Sequence, residues 1–378
     1  MGEATGSLSP EESGTPPGLS SEYNNDLFVS KDFLSSFKDI GDALVDQRLN
    51  EAFLFYDAAA RRHKIAFNRI GLCSLIFALV TLVTAAASVI AGEPVTERLG
   101  IFGLALDCGS ILAIAFILWN RLARHKARWC LALFCRERLR QWHFQIFLDG
   151  ELVSKIATDP KEFQTELDKR WGILQQSLHD GYGTMTSYMH HGSHESDFFH
   201  KRLAYTTPAL AESVLEAMWT LRLDHQLRFC QRRIEREGED ASLTLNERTE
   251  ISDSVASSSF AGAVLVGAFG VLLSIMHSWQ ALGSLAQHFG IISRVMAGIA
   301  LVLTVISAAS RAYRTGYTLP SELESYMEFC DRIREVKAVY ENSEFMAEKF
   351  RQLEQLEGES IAELRRFLRM KMRATFVF

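Results

Sequence analysis

The chain has 378 residues, 48% of them apolar, and a formal net charge of −6. Length alone allows two or three soluble domains, but the apolar residues gather in four long runs, which puts a membrane protein ahead of a soluble one. Within residues 1–30, Glu3, Glu11, Glu12, Glu22 and Asp26 meet no Lys or Arg and hold −5 of the −6, so the rest is nearly neutral and no nucleic-acid partner is expected.

Residues 1–27 are rich in Gly, Ser, Pro and Glu, lack an apolar face, and are expected to form a disordered tail. Beyond them Phe33, Phe37, Ile40, Ala43 and Leu44 recur at helical spacing and predict a long helix running into the first span. That span, 70–92, reads IGLCSLIFALVTLVTAAASVIAG without a charge; at ~1.5 Å per residue it covers about 33 Å, enough for the hydrocarbon core. No n-region or cleavage pattern precedes it, so it is expected to stay in the mature protein. MGEATG has Gly6 where N-myristoylation wants Ser or Thr.

A second span covers 99–119, and a basic helical stretch then carries the chain away from the membrane, closing a first region at 28–148. Region 149–206 holds a helix starting at Asp159-Pro160, then a His-rich loop. Region 207–317 begins with a helix at Thr207-Pro208 and contains the third and fourth spans, 255–276 and 289–310. Residues 318–378 complete the chain with further helices. Strand signals are almost absent. The expected fold is all-α and integral to the membrane: four spans in two hairpins, with long helical cytoplasmic extensions.

Orientation follows Lys and Arg near the span ends. Arg61, Arg62, Lys64 and Arg69 precede the first span and Arg121, Arg124, Lys126 and Arg128 follow the second, whereas the loop between them holds only Arg98. Arg311 and Arg314 after the fourth span agree; the acidic approach to the third gives no support. Both termini are therefore expected in the cytoplasm. The six cysteines show no CxxC or metal-finger spacing and read as reduced thiols.

Two charges fall inside the spans. Asp107 sits about 12 Å below the outer boundary on a straight helix, where a carboxylate costs about 2.5–3.5 kcal/mol, so it must face protein or water. Three roles stand open for it: a pair with Arg294, which could equally snorkel outward; hydrogen bonding at a helix or subunit interface; or the lining of an ion path. Small residues point to close packing among spans or subunits, Gly109 and Ala113 on the second span and the ladder Ser259, Ala263, Gly267 on the third.

In IAELRRFLRMKMRATFVF, Ile361, Leu364 and Leu368 share a face, with Arg365, Arg366, Arg369, Lys371 and Arg373 around it. Such a helix either lies on an anionic inner leaflet or packs on its neighbours with a solvated basic face. FCRERLR, FCQRRIE and FCDRIRE place Phe-Cys before a basic turn three times, which suits either two diverged helix–hairpin–helix copies or chance. His190 and His194 could share a metal on a helix, but Gly181, Gly183 and Gly192 favour a solvated loop, and no metal site is expected. With no nucleotide-binding loop, nucleophile elbow, HExxH or carboxylate pair, neither enzyme activity nor a cofactor is expected.

FYDAAARRHKIAFNRI leading into the first hairpin and ARWCLALFCRERLRQW leading out of it resemble the SLATT (SMODS/SLOG-associating) membrane effectors, the two- and four-span domains of bacterial nucleotide-signalling conflict systems. The likeness covers about residues 50–148 and is architectural over the second hairpin; relative to the simplest members the chain adds that hairpin and shows no sensor or nucleotidyltransferase domain. The resemblance implies an oligomeric pore-forming or membrane-disrupting effector of a defence system. It would sit in the bacterial inner membrane, held inactive until triggered, with a nucleotide-signal sensor or synthase as possible partner. A dedicated ion channel or transporter, or a scaffold without conduction, are the alternatives.

Overall fold

The computed structural model describes Leu27, Phe37, Cys108, Gly109, Ile111, Leu112, Ala115, Trp119 and residues 39–91, 123–191, 207–234, 243–278 and 284–373. Among them there are helices and turns and no strand. A 3₁₀ turn at Gly41–Leu44 precedes α1 (Gln47–Ala91), then come α2 (His125–Phe147), α3 (Gly150–Thr158), α4 (Pro160–His179) and α5 (Tyr182–His191). After these, α6 (Pro208–Ala217) passes through a π-helical stretch, Met218–Asp224, into α7 (His225–Ile234). The chain continues with α8 (Leu245–Ser278), α9 (Ser284–Tyr317), α10 (Leu319–Asn342) and α11 (Met346–Arg373).

Three helices are long and apolar enough to cross a membrane, within Gly41–Ala85, Leu245–Ser278 and His288–Tyr317. They contain most of the expected first span, which α1 follows as far as Ala91, and all of the expected third and fourth. Most of the expected second span lies outside the described residues.

Local chemistry sets the helix starts. Asp159 caps α4 by accepting from Glu162 N, with Pro160 first in the helix, and Thr207 caps α6 through Leu210 N ahead of Pro208; both starts lie where the sequence puts them. Three boundaries differ from expectation. Asp46 caps α1 through Arg48 N and Leu49 N, so the α-helix begins at Gln47 and only the short turn precedes it. A capping box, Thr244 with Glu247, starts α8 ten residues ahead of the expected span. Arg124 adopts φ +51°, a left-handed break that makes α2 begin at His125.

The chain divides into two compact units, residues 1–60, 130–240 and 324–369 forming one and residues 61–129, 241–323 and 370–378 the other. The first is built around the C-terminal part of α2, whose sequence reads as half polar and yet is buried on every side: Arg138, Leu139, Arg140, Gln141, Trp142, His143, Phe144 and Gln145 all lie inside. Its charges are matched there. Arg136 donates to Asp57 Oδ1 at 2.7 Å and to Glu137 Oε1 at 2.5 Å, and Arg140 to Glu137 Oε2 at 2.6 Å. Burial alone would push the Glu137 carboxyl up, but the guanidiniums of Arg140, Arg136 and Arg222 outweigh it and hold the group at about 2. Arg222, in the π-helical stretch, donates to Glu357 Oε1 at 2.5 Å and Oε2 at 3.2 Å, its guanidinium 5.0 Å from the Phe144 ring centre. Both partners are fully buried.

In the same unit α10 and α11 run antiparallel, stitched by Ser325 to Glu363, Arg332 to Glu359 and Arg366 to Glu328. All three Phe-Cys cysteines are buried, as are Phe134 and Phe329, while Phe229 is half-buried. Cys135 lies against Tyr56, and burial raises its thiol to about 12. Burial also raises Cys230, whose buried neighbour is Cys330.

The second unit contains the hairpin of α8 and α9, closed by small residues and hydroxyls. Ser252 Oγ donates to Ser310 O at 3.1 Å, Ser310 Oγ to Ser252 O at 2.8 Å, Ser307 Oγ to Ala256 O at 2.8 Å and Ser293 Oγ to Gly270 O at 2.9 Å. In a bilayer such bonds are worth about 0.6–1.7 kcal/mol each. A Cβ on Gly270 would meet Met296 Cβ at 3.2 Å, and one on Gly267 would meet Ala300 Cβ at 3.8 Å.

Candidate functional site at the hairpin exits

Within the second unit, the residues with the densest unusual chemistry gather where α9 gives way to α10 and where α2 begins. Thr318, between α9 and α10, has φ +55°. A β-branched residue there pays a steric penalty of about 1–2 kcal/mol, so a neighbour must hold it. That neighbour is Lys371, in the last turn of α11. Its ammonium donates to Tyr317 O at 3.1 Å, to Thr318 Oγ1 at 2.8 Å and to the Glu322 carboxylate. These three acceptors fill its three donors, which is why a lysine side chain only 6% exposed is tolerated.

The next residue extends the bracket to α2. Lys126 Nζ donates to Met372 O at 2.7 Å, one turn ahead of buried Trp129. The Trp129 ring takes two ammoniums, Lys371 and Lys64, each 5.8 Å from its centre, and packs at 6.0 Å against Phe67 of α1. Beside them His63 Nδ1 faces His125 Nδ1 at 3.4 Å. The end of α11 therefore ties together α1, the start of α2 and the α9–α10 junction.

The residues proposed from the sequence are distributed differently. Asp107 and Ala113 lie outside the described residues; Arg294 is exposed on α9. Gly109 is buried against α1, where a Cβ would meet Thr81 Oγ1 at 2.5 Å. On α8, Ala263 is buried and Gly267 and Ser259 are half-buried, Gly267 facing Ala300 of α9. Its basic residues do not make α11 a free cationic face: Lys371 is buried, Arg365 Nε donates to Tyr188 O at 3.1 Å, Arg369 Nε to Met189 O at 2.8 Å, and Arg366 pairs with Glu328, while Arg373 is exposed. Ile361, Leu364 and Leu368 are buried as the core-packing alternative requires. His190 is exposed on α5, helix where a loop is expected, because the positive φ of Gly181 (+37°) sits in the turn before it. His194 is outside the described residues, and among those described no group of three metal-ligating side chains assembles.

Sequence reasoning missed the bracket, although a signal existed. Ile361, Leu364, Leu368 and Lys371 follow one 3-4-3 spacing, so Lys371 occupies a core position of α11 and needs a buried acceptor. Searched against models of known families, curated proteins and solved structures, the chain matches none.

Proposed function

We propose that this protein is a regulated membrane effector whose apolar hairpins assemble into an oligomeric pore, or otherwise breach the bilayer, when the bracket at the hairpin exits is released. In this reading four spans cross a bacterial inner membrane with both termini in the cytoplasm, and the first unit receives the activating signal. The observation that carries it is the bracket itself. A strained Thr318 held by the last turn of α11, with Lys126 and Trp129 tied to the same turn, is a two-state element, since whatever displaces α11 frees both hairpin exits together. The resemblance of FYDAAARRHKIAFNRI and ARWCLALFCRERLRQW to segments of SLATT effectors is what suggests a conflict or defence system.

The experiment is reconstitution of the full chain in sealed vesicles, with release of potassium and of a small dye followed beside oligomer size. Lys371→Met raises release above wild type if the bracket restrains a pore. Release of ions alone favours a selective channel. No release from wild type or variant at any protein density refutes conduction and leaves a scaffold.

A further inference from the structure

His63 and His125 are set where α1 and α2 approach each other in the second unit, with Nδ1 atoms 3.4 Å apart and ring centres 5.7 Å apart. His63 lies seven residues ahead of the charge-free segment that opens at Ile70 and is half-buried, its ring partly open to solvent. Two imidazoles can hold that approach in one way: one Nδ1 carries a hydrogen and the other offers its lone pair. Once both rings are protonated, each Nδ1 points a hydrogen at the other and the contact becomes repulsive.

The surroundings reinforce this sign. Burial disfavours the charged form of His63, and His125 and Arg128 from α2 and Arg62 from its own helix act in the same direction, so its pKa is lowered. The charges around Trp129 in the same unit are cationic or engaged: Lys64 and Lys371 lie over its ring, Lys126 is bonded to Met372 O, and the Glu322 carboxylate is taken by Lys371. No carboxylate is among the groups that shift His63. A lowered pKa means that the closed arrangement binds protons less readily than the open one, so protons favour opening as pH falls through the histidine range.

We propose that His63 and His125 form an acid-operated catch that holds α1 against the start of α2 while the pair is unprotonated or shares one proton and releases them when both rings are charged. This rests on the proposed function, in which the catch faces the cytoplasm. Proton leak through an opened pore would acidify that side and release further catches, giving activation a self-reinforcing step.

The test uses the full chain in lipid nanodiscs. Amide exchange is read by mass spectrometry for peptides covering residues 59–67 and 123–131 at pH 7.5 and 5.5, each normalised to its intrinsic rate at that pH. Wild type is expected to exchange at least several-fold faster at pH 5.5 than at pH 7.5 after normalisation, the direction that the lowered His63 pKa requires. His63→Gln with His125→Gln, neutral at both pH values, abolishes the difference. His125→Lys gives the fast rate already at pH 7.5. No rise in wild type, or a rise that survives in the double glutamine variant, overturns the catch. Vesicle release measured on the same proteins separates the two ideas: pH-linked exchange without release refutes the pore and leaves the catch, whereas release with pH-independent exchange refutes the catch and leaves the pore.

Discussion

Lys371→Met removes the charge from the bracket while keeping an unbranched side chain of similar length against Trp129. Three donor contacts disappear, to Tyr317 O, Thr318 Oγ1 and the Glu322 carboxylate, and Glu322, with its side chain 14% exposed, is left as a part-buried carboxylate without its cation. Breaking a buried pair by deleting one partner costs about 3–5 kcal/mol; because Glu322 retains some access to water, the lower end applies, about 3 kcal/mol. Loss of the ammonium above Trp129 adds roughly 0.5–1 kcal/mol. The left-handed strain at Thr318, about 1–2 kcal/mol, is then no longer offset. Thr318→Gly relieves that strain but gives up the Oγ1 contact, so it should be near neutral in wild type and stabilising by about 1 kcal/mol in the Lys371→Met background, a coupling that reveals the shared site. The assay is amide exchange of peptides spanning 313–326, where a local loss of about 3 kcal/mol appears as exchange more than a hundredfold faster. Unchanged exchange in Lys371→Met, or strictly additive effects of the two substitutions, would refute the assignment of Lys371 as the restraint on Thr318.

Glu137→Gln should destabilise the first unit by about 3 kcal/mol, the value of a carboxyl moved from its ordinary 4.5 to about 2. Because the folded-state value is depressed, that stabilisation is complete above about pH 4.5 and is lost as pH falls toward 2, so denaturation profiles of wild type and variant should converge over that window. Gly270→Leu should loosen the α8–α9 hairpin by more than 1 kcal/mol, since even a Cβ there meets Met296 Cβ at 3.2 Å, whereas Gly267→Ala should stay within about 0.5 kcal/mol; intrachain crosslinking between α8 and α9 reads both, and equal effects would contradict the seam. Cys135 and Cys230, raised by burial, should resist alkylation at pH 8 in the folded protein and react on unfolding. For orientation, Thr96→Cys should label with an impermeant reagent in intact cells and Ser193→Cys should not; the reverse pattern would invert the topology.

The three long apolar helices were readable because a helix able to cross lipid must be apolar and uninterrupted, and that pattern lies in consecutive residues, as in 70–91. The starts of α4 and α6 were readable for a related reason, since Asp159 and Thr207 each accept from the backbone N–H three residues on and the whole motif lies within one turn. What escaped was chemistry whose partners are far apart in sequence. Arg365 and Arg369 look like a basic face until the carbonyls of Tyr188 and Met189 arrive more than 170 residues away in the chain, and the polar run of α2 looks solvated until Asp57, Glu357 and Arg222 surround it. The left-handed Arg124 and Thr318 were invisible because neither residue type advertises that conformation, and at Thr318 the surroundings impose it. Yet one buried cation left a trace in the periodicity: Lys371 falls on the stripe of Ile361, Leu364 and Leu368. A lysine on a core stripe cannot be left unpaired at tolerable cost, and its position therefore marks where a distant acceptor must come. In this chain the acceptors lie at the break between a long apolar helix and the helix that follows it, the Tyr317 carbonyl and the Thr318 hydroxyl, with Glu322 one turn on.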